Sequence, residues 1–133
     1  MKNRWTESTP PRPALYLAWF QGIYFVVAGF WPVPGIDSFM LVTGPKTDIW
    51  LVKTVGLLLV AVGAVLCLAA KRKRITAEII VLGAGTALAL TVIEVVYVLN
   101  GTISKIYLLD AAVETLLVAG WLWLAATLGN ERK

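Results

Sequence analysis

The sequence predicts an all-α fold, a four-helix transmembrane bundle in an up-down-up-down arrangement with both termini in the cytoplasm. Three observations predict it. Hydrophobic residues make up 59% of the 133 residues. Four apolar stretches approach the roughly 20 residues that cross a bilayer as a helix. Basic residues concentrate at the ends of these stretches, as membrane topology requires. We expect one integral membrane domain over residues 1–133.

The first apolar stretch runs from about residue 14 to residue 31 and ends at Pro32, since proline cannot continue a helix. Lys2 and Arg4 precede it, as basic residues precede the apolar core of a signal peptide. However, the apolar run is too long for a signal peptide, and no cleavage site with small residues follows. We therefore expect a retained membrane helix.

The connection from Pro32 to Asp48 is longer than most connections between helices. Its middle, residues 36–42, is too apolar for a free loop and fits a short helix in the membrane interface. Two roles remain open for it: a cover over a site on that side of the bundle, or a plain connector.

The other three membrane helices have clear start and stop signals. The second is predicted over residues 49–70, with Asp48 as its N-cap. The third spans about residues 76–99 and ends at Asn100-Gly101, a common helix-stop pair. The fourth spans about residues 104–128. The short connections between these helices favour antiparallel neighbours.

The basic residues predict the orientation of the bundle. If four helices cross the membrane, one side receives Lys2, Arg4, Arg12, the run at residues 71–74, Arg132 and Lys133, and the other side receives Lys46, Lys53 and Lys105. The positive-inside rule places the richer side in the cytoplasm. The run at 71–74 could also bind anionic membrane lipids, although its role as a topology anchor is a sufficient explanation.

The composition excludes several chemistries. The chain has no histidine and a single cysteine, Cys67. Histidine ligation of haem or zinc, a nucleophile paired with histidine, and disulfide exchange between two cysteines are therefore absent. The net charge of +4 arises from residues at helix ends, so we expect no nucleic-acid partner. We also expect no metal, no cofactor and no catalytic residue.

Charged residues inside the apolar stretches mark the candidate site, because charges in a membrane helix are costly and are paired, hydrated or functional. Asp110 and Glu114 are four residues apart and share a helix face. Helix lengths put all the charged members in the half of the bundle near the long connection. The candidate ligand-binding residues are Lys53, Glu94, Asp110, Glu114, Gln21 and Tyr24.

Two interpretations of this cluster remain open. In the first, Lys53 forms an ion pair with Glu94 or Glu114, and Asp110 is stabilised at the N-terminus of its own helix. In the second, three carboxylates outnumber one ammonium group. The excess negative charge is then balanced by protons or by a bound cation.

Two segments in the first half of the chain carry a resemblance to a known family. Residues 21–32 (QGIYFVVAGFWP) and 42–56 (VTGPKTDIWLVKTVG), with Ser38-Phe39 between them, resemble small bacterial four-helix membrane proteins of DoxX-like type, most of them uncharacterised. The resemblance implies a protein of the bacterial inner membrane. Because some DoxX-like proteins are accessory subunits of oxidoreductase complexes, it also implies that role here. The family has no shared catalytic residue to place on this chain.

We therefore expect a non-enzymatic membrane protein that binds a small cationic or amphipathic ligand or serves as an accessory subunit, alone, as a homo-oligomer or in a larger membrane complex. One alternative is a proton-coupled small-molecule transporter, similar to small multidrug resistance transporters in size and in its intramembrane carboxylates. Those transporters carry their key glutamate in the first helix, where this chain has Gln21. A membrane enzyme would use the carboxylates as acid and base; nothing in the sequence selects it.

The orientation is tested by cysteine labelling. Cysteines introduced at Ser38 and Thr102 should react with an impermeant reagent from outside intact cells, whereas cysteines at Ser8 and Asn130 should not, because the positive-inside rule places them in the cytoplasm. Labelling at all four positions would indicate mixed orientation.

Overall fold

The computed structural model describes residues 9–130. They form five helices: α1 (Arg12–Phe30), α2 (Ile36–Thr43), α3 (Ile49–Lys71), α4 (Ala77–Leu99) and α5 (Tyr107–Asn130). No strand occurs within residues 9–130, so the all-α prediction is confirmed there. All but α2 are long and apolar enough to span a bilayer, which indicates a multi-pass membrane protein. Predictions that involve Lys2, Arg4, Ser8, Arg132 and Lys133 lie outside the described residues.

The helix bounds differ from the predicted ones by at most about three residues, each for a local reason. α1 begins two residues early because Pro13 is accepted in the first turn of a helix, where its missing N–H loses no bond. α5 begins at Tyr107 and not at Ser104 because the intervening residues form tighter turns; the N–H of Tyr107 donates to the carbonyl oxygen of Ser104 at 3.2 Å. α4 ends as predicted, with Gly101 at a φ of +73°.

Asp48 is the N-cap residue of α3, as predicted, but its side chain forms no capping hydrogen bond. Its backbone angles, φ −93° and ψ 70°, are not the extended ones that let a side chain reach the first turn. At the start of α4, Thr76 has the extended conformation, and its hydroxyl accepts from the N–H of Ile79 at 3.4 Å.

The predicted short helix in the long connection is confirmed as α2, which folds back beside the end of α1. Nε1 of Trp31 donates to Oγ of Ser38 at 2.9 Å, and that hydroxyl donates to the carbonyl oxygen of Gly35 at 2.9 Å. The ring of Trp31 also packs edge-on against Phe39. We call the region formed by residues 31–48 and 100–106 the α2 end of the bundle.

The membrane helices pack as two pairs. α1 packs closely against α3, and α4 packs against α5, whereas contacts between the two pairs are fewer. The α1–α3 contact is backbone on backbone: Gly22 lies against Gly63, and Gly29 lies against Gly56. Because glycine has no side chain, the two helices approach closely, as small residues permit in membrane helices.

The apolar core lies away from the α2 end. Its buried members come from the start of α1 and α4, from the later parts of α3 and α5 and from the α3–α4 connection: Ala14, Ala18, Leu66, Ala69, Ala70, Ile75, Ile80, Trp121 and Leu124. Large apolar side chains also cover the outer surface of all four long helices, as lipid contact requires. This half of the bundle is therefore apolar both inside and outside, apart from the buried side chain of Gln21.

The glycine contact between α1 and α3 yields a stability prediction. Gly63→Ala should lower the free energy of unfolding by about 1–3 kcal/mol, the usual cost of overpacking. The new Cβ would lie 2.6 Å from the carbonyl oxygen of Gly22 and 2.9 Å from a methyl group of Val26. Gly85→Ala is the matched control, because a Cβ there has no non-local heavy atom within 4 Å. It should be neutral or slightly stabilising. Unfolding in detergent by increasing SDS measures both; equal losses would contradict the close contact.

Candidate functional site

A buried polar bridge joins α1 to both helices of the other pair. The side chain of Gln21 is fully buried. Its Nε2 donates to the carbonyl oxygen of Gly83 in α4 at 2.9 Å, and its Oε1 accepts from Nε1 of Trp121 in α5 at 2.6 Å. Position 83 requires glycine, because a Cβ there would lie 2.6–2.9 Å from atoms of the Trp121 indole. Since both ends of the amide are bonded, it can be buried at little cost.

Tyr24 links α1 to the start of α5, one turn closer to the α2 end than Gln21. Its hydroxyl donates to Oδ1 of Asp110, and both residues are partly buried. Asp110 lies in the first turn of α5, where the positive end of the helix dipole favours a negative charge. Asp110 is therefore the best compensated of the three predicted carboxylates.

The two glutamates lie deeper and lack such compensation. Glu94 in α4 is 5% exposed and Glu114 in α5 is 1% exposed. One carboxyl oxygen of each, Oε2, is buried without a hydrogen-bond partner. Asp110 and Glu114 are four residues apart on one face of α5, and α5 packs against α4, where Glu94 is buried. We call these three carboxyl groups the acidic cluster. Like charges without hydration are unfavourable in an apolar interior, so protons or a cation must accompany them.

The cluster exists because the glutamates occupy positions where the helices otherwise bury apolar or small side chains. The buried residues of α5 recur every three or four positions, which defines one helix face, and Glu114 is one of them: Ala111, Glu114, Leu117, Trp121 and Leu124. In α4, Gly83, Ala87 and Glu94 lie on the inward face. Gly83 belongs to the polar bridge, so the bridge and the cluster lie along the same two helix faces.

Lys53 is not the counter-ion of the cluster. Within residues 9–130, the predicted ion pair of Lys53 with Glu94 or Glu114 is not formed, and Oε2 of both glutamates has no hydrogen-bond partner. The reason is the pairing of the helices. Lys53 lies half-buried on α3, which packs mainly on α1, whereas the cluster lies between α4 and α5. Of the six predicted residues, Tyr24 and Asp110 are joined directly by a hydrogen bond, Gln21 is bonded to α4 and α5, and Lys53 lies on α3.

No three metal-ligating side chains among the described residues are grouped closely enough to hold a metal ion. The acidic cluster therefore lacks the convergent ligand geometry that metal binding requires. Cys67, the single cysteine, packs against α1, where a Cβ on Gly22 would lie 2.6 Å from its Sγ. Its role is that of a small packing residue.

Two residues at the site were missed by the sequence analysis. Trp121, which was not among the predicted site residues, donates a hydrogen bond to Gln21. Its position seven residues after Glu114, on the same helix face, is a signal that could have found it. Lys46, assigned only to an outer loop, contacts the first residue of α5: its Nζ lies 5.3 Å from the ring centroid of Tyr107. No sequence signal pointed to that contact.

No protein-family model matches the chain, and no curated protein and no solved structure matches it significantly.

The polar bridge yields a second stability prediction. Trp121→Phe should lower the free energy of unfolding by about 1–3 kcal/mol, the cost of leaving the buried Oε1 of Gln21 without a donor. Trp123→Phe is the control, because Trp123 is two residues away on the same helix and 58% exposed. It should have little effect.

A double-mutant cycle separates the lost hydrogen bond from the lost ring volume. Gln21→Met combined with Trp121→Phe should cost less than the sum of the two single changes, because the second change removes no further bond. Additive costs in this cycle would contradict the bridge.

Proposed function

We propose that this chain is a non-enzymatic protein of a bacterial inner membrane that binds a small cationic ligand at the acidic cluster. The observation that carries the proposal is the pair of buried Oε2 atoms on Glu94 and Glu114 without hydrogen-bond partners. Buried charged or polar groups are almost always satisfied in proteins, and those that are not call for a functional explanation.

The chemistry of the cluster supports a cation as the ligand. Its carboxyl groups attract positive charge, and in this low-dielectric interior the attraction is much stronger than in water. The carboxyls are not grouped as metal ligands, which favours an organic ammonium ion, whose charge is spread over several contacts. Protons compete for the same oxygens, so the ligand-free cluster is neutralised by protons and the cation binds as they leave.

The contacts between helices support the alternating arrangement that the sequence predicts. The order of the contacts Gly22–Gly63 and Gly29–Gly56 requires α1 and α3 to run in opposite directions. With the basic run at residues 71–74 in the cytoplasm, the α2 end would face the periplasm. The ligand would then reach the cluster from outside the cell.

The first alternative is a proton-coupled small-molecule transporter. Competition between protons and a cation at one carboxyl cluster is the coupling that such a transporter needs. The polar bridge lies between the cluster and the opposite end of the bundle: Trp121 is seven residues beyond Glu114, or about 10 Å along α5 at 1.5 Å per residue. A transport cycle would have to break the two hydrogen bonds of Gln21.

The second alternative is an accessory subunit of a membrane oxidoreductase complex, as the DoxX-like resemblance implies. It is supported by the lack of histidine and of a second cysteine in the chain, since the electron-transfer groups would then belong to a partner. A partner that co-purifies in stoichiometric amount in mild detergent would favour this role over the binding of a free ligand.

The proposed function is tested by the binding of cations to the purified full-length protein in detergent. Tetraphenylphosphonium, an amphipathic cation, and propylammonium are suitable probes for calorimetry. Glu114→Gln should weaken binding by at least about tenfold, equivalent to about 1.4 kcal/mol, because the amide keeps the shape and removes the charge. Affinity should rise with pH, since fewer protons then compete for the carboxyls.

Glu78→Gln is the matched control for the same change at Glu94. Both glutamates lie on α4, but Glu78 is exposed in the first turn, far from the cluster. Glu78→Gln should bind like the native protein and Glu94→Gln should bind more weakly. The proposal fails if neither probe shows saturable binding, or if Glu114→Gln binds as well as native protein with an unchanged circular dichroism spectrum.

A further inference from the structure

The ammonium group of Lys46 occupies a cage at the α2 end. Its Nζ donates to the carbonyl oxygens of Thr43 and Gly44, both at 3.0 Å, and lies 3.4 Å from the hydroxyl oxygen of Thr43. Two aromatic rings complete the surroundings, with centroids at 6.0 Å for Phe39 and 5.3 Å for Tyr107. Carbonyl oxygens and aromatic faces are the two kinds of neutral group that bind ammonium ions in proteins.

A lysine that donates to the last carbonyls of the helix it follows is common, but this cage is built from two separate parts of the fold. Phe39, Thr43 and Gly44 belong to α2 and its C-cap, whereas Tyr107 is the first residue of α5. Gly44 also lies near the 100–106 connection, where its Cβ would be 3.7 Å from that of Ser104. The cage therefore fastens α2 to the start of α5.

Tyr107 of the cage lies on the same face of α5 as Asp110 and Glu114 of the acidic cluster. Tyr107, Asp110 and Glu114 follow one another at spacings of three and four residues, which place them along one face of α5. Burial increases along this row, from half-buried Tyr107 and Asp110 to Glu114 at 1% exposed. A cation that moves from the α2 end toward Glu114 along this face would meet the cage first.

We propose that the cage is a second binding site for alkylammonium ions, kept filled in the ligand-free protein by the chain's own Lys46. A cationic ligand displaces the Lys46 ammonium group, binds between the Thr43 and Gly44 carbonyl oxygens and the Tyr107 ring, and from there reaches the acidic cluster. The onward step rests on the proposed function; the ammonium cage itself does not. The tethered lysine raises the ligand concentration needed for occupancy, because an intramolecular competitor acts at a high effective concentration.

Chemical rescue tests the cage in the purified full-length protein. Lys46→Ala removes the ammonium group and its stem and leaves room for propylammonium. Hydrogen exchange in residues 36–48, followed by mass spectrometry, should become faster in this variant, because α2 is no longer fastened to α5. Propylammonium should restore slow exchange in a saturable manner, whereas 1-propanol, of the same shape without the charge, should not.

Two further variants sharpen the result. Lys46→Met loses the charge but fills the cage with an apolar chain, so its exchange should be fast and insensitive to propylammonium. Lys105→Met, an exposed lysine in the neighbouring connection, should exchange like the native protein. Propylammonium should bind to Lys46→Ala at least about tenfold more tightly than to the native chain, in which the tethered group competes.

The proposal is overturned if exchange over residues 36–48 is unchanged in Lys46→Ala, or if propanol restores it as well as propylammonium. If Lys46→Ala is recovered in folded form only when propylammonium is present during purification, that dependence supports the cage. Adding Glu114→Gln to Lys46→Ala separates the two proposals. If propylammonium still restores slow exchange in the double variant, the cage does not depend on Glu114. That result supports the cage even if cations do not bind at the acidic cluster.

Discussion

In an apolar bundle, a buried side-chain amide can form hydrogen bonds only with other groups of the protein. The amide of Gln21 forms two, one through its nitrogen and one through its oxygen. The bonds to Gly83 and Trp121 connect α1, and through it the glycine-packed α1–α3 pair, to the α4–α5 pair. Contacts between the two pairs are otherwise few. Without van der Waals packing on the scale of the α1–α3 interface, a satisfied polar bond is the most specific way to align two helix pairs. The position of Tyr24 beside Asp110 follows from that alignment.

The apolar core and the charged side chains lie in different halves of the bundle. The half of the bundle away from α2 contains the buried apolar side chains around Trp121, whereas the half nearer α2 contains the acidic cluster and the cage around Lys46. A charge placed among the buried apolar side chains would disrupt their packing. A charge in the half nearer α2 lies beside partly exposed polar groups such as Asp110. This division explains how a chain this short can hold unfavourable carboxyls: the part of the bundle that stabilises the fold is not the part that contains them.

The sequence predicted the helices well because their signals are local. Length, apolar composition, prolines and the Asn100-Gly101 stop are read without knowing how the chain folds. The partners of the charged residues were harder to predict. A helix that is apolar on all faces gives no hydrophobic stripe to show which face points inward, so the rotation of α3 that keeps Lys53 away from Glu94 was not visible. The cage around Lys46 depends on residues 61 positions apart in the chain, Lys46 and Tyr107, which no local pattern connects.

The polar bridge has a consequence for how the protein is made. During synthesis, α1 and α3 leave the ribosome before α4 and α5, and the glycine contacts of the α1–α3 pair involve neither of the later helices. Gln21 then faces lipid or a translocation partner with both ends of its amide unbonded, at a cost that Gly83 and Trp121 later remove. A nascent chain that never receives its second half carries this exposed amide in the membrane. The same amide that aligns the finished bundle is thus the unsatisfied group of the unfinished one.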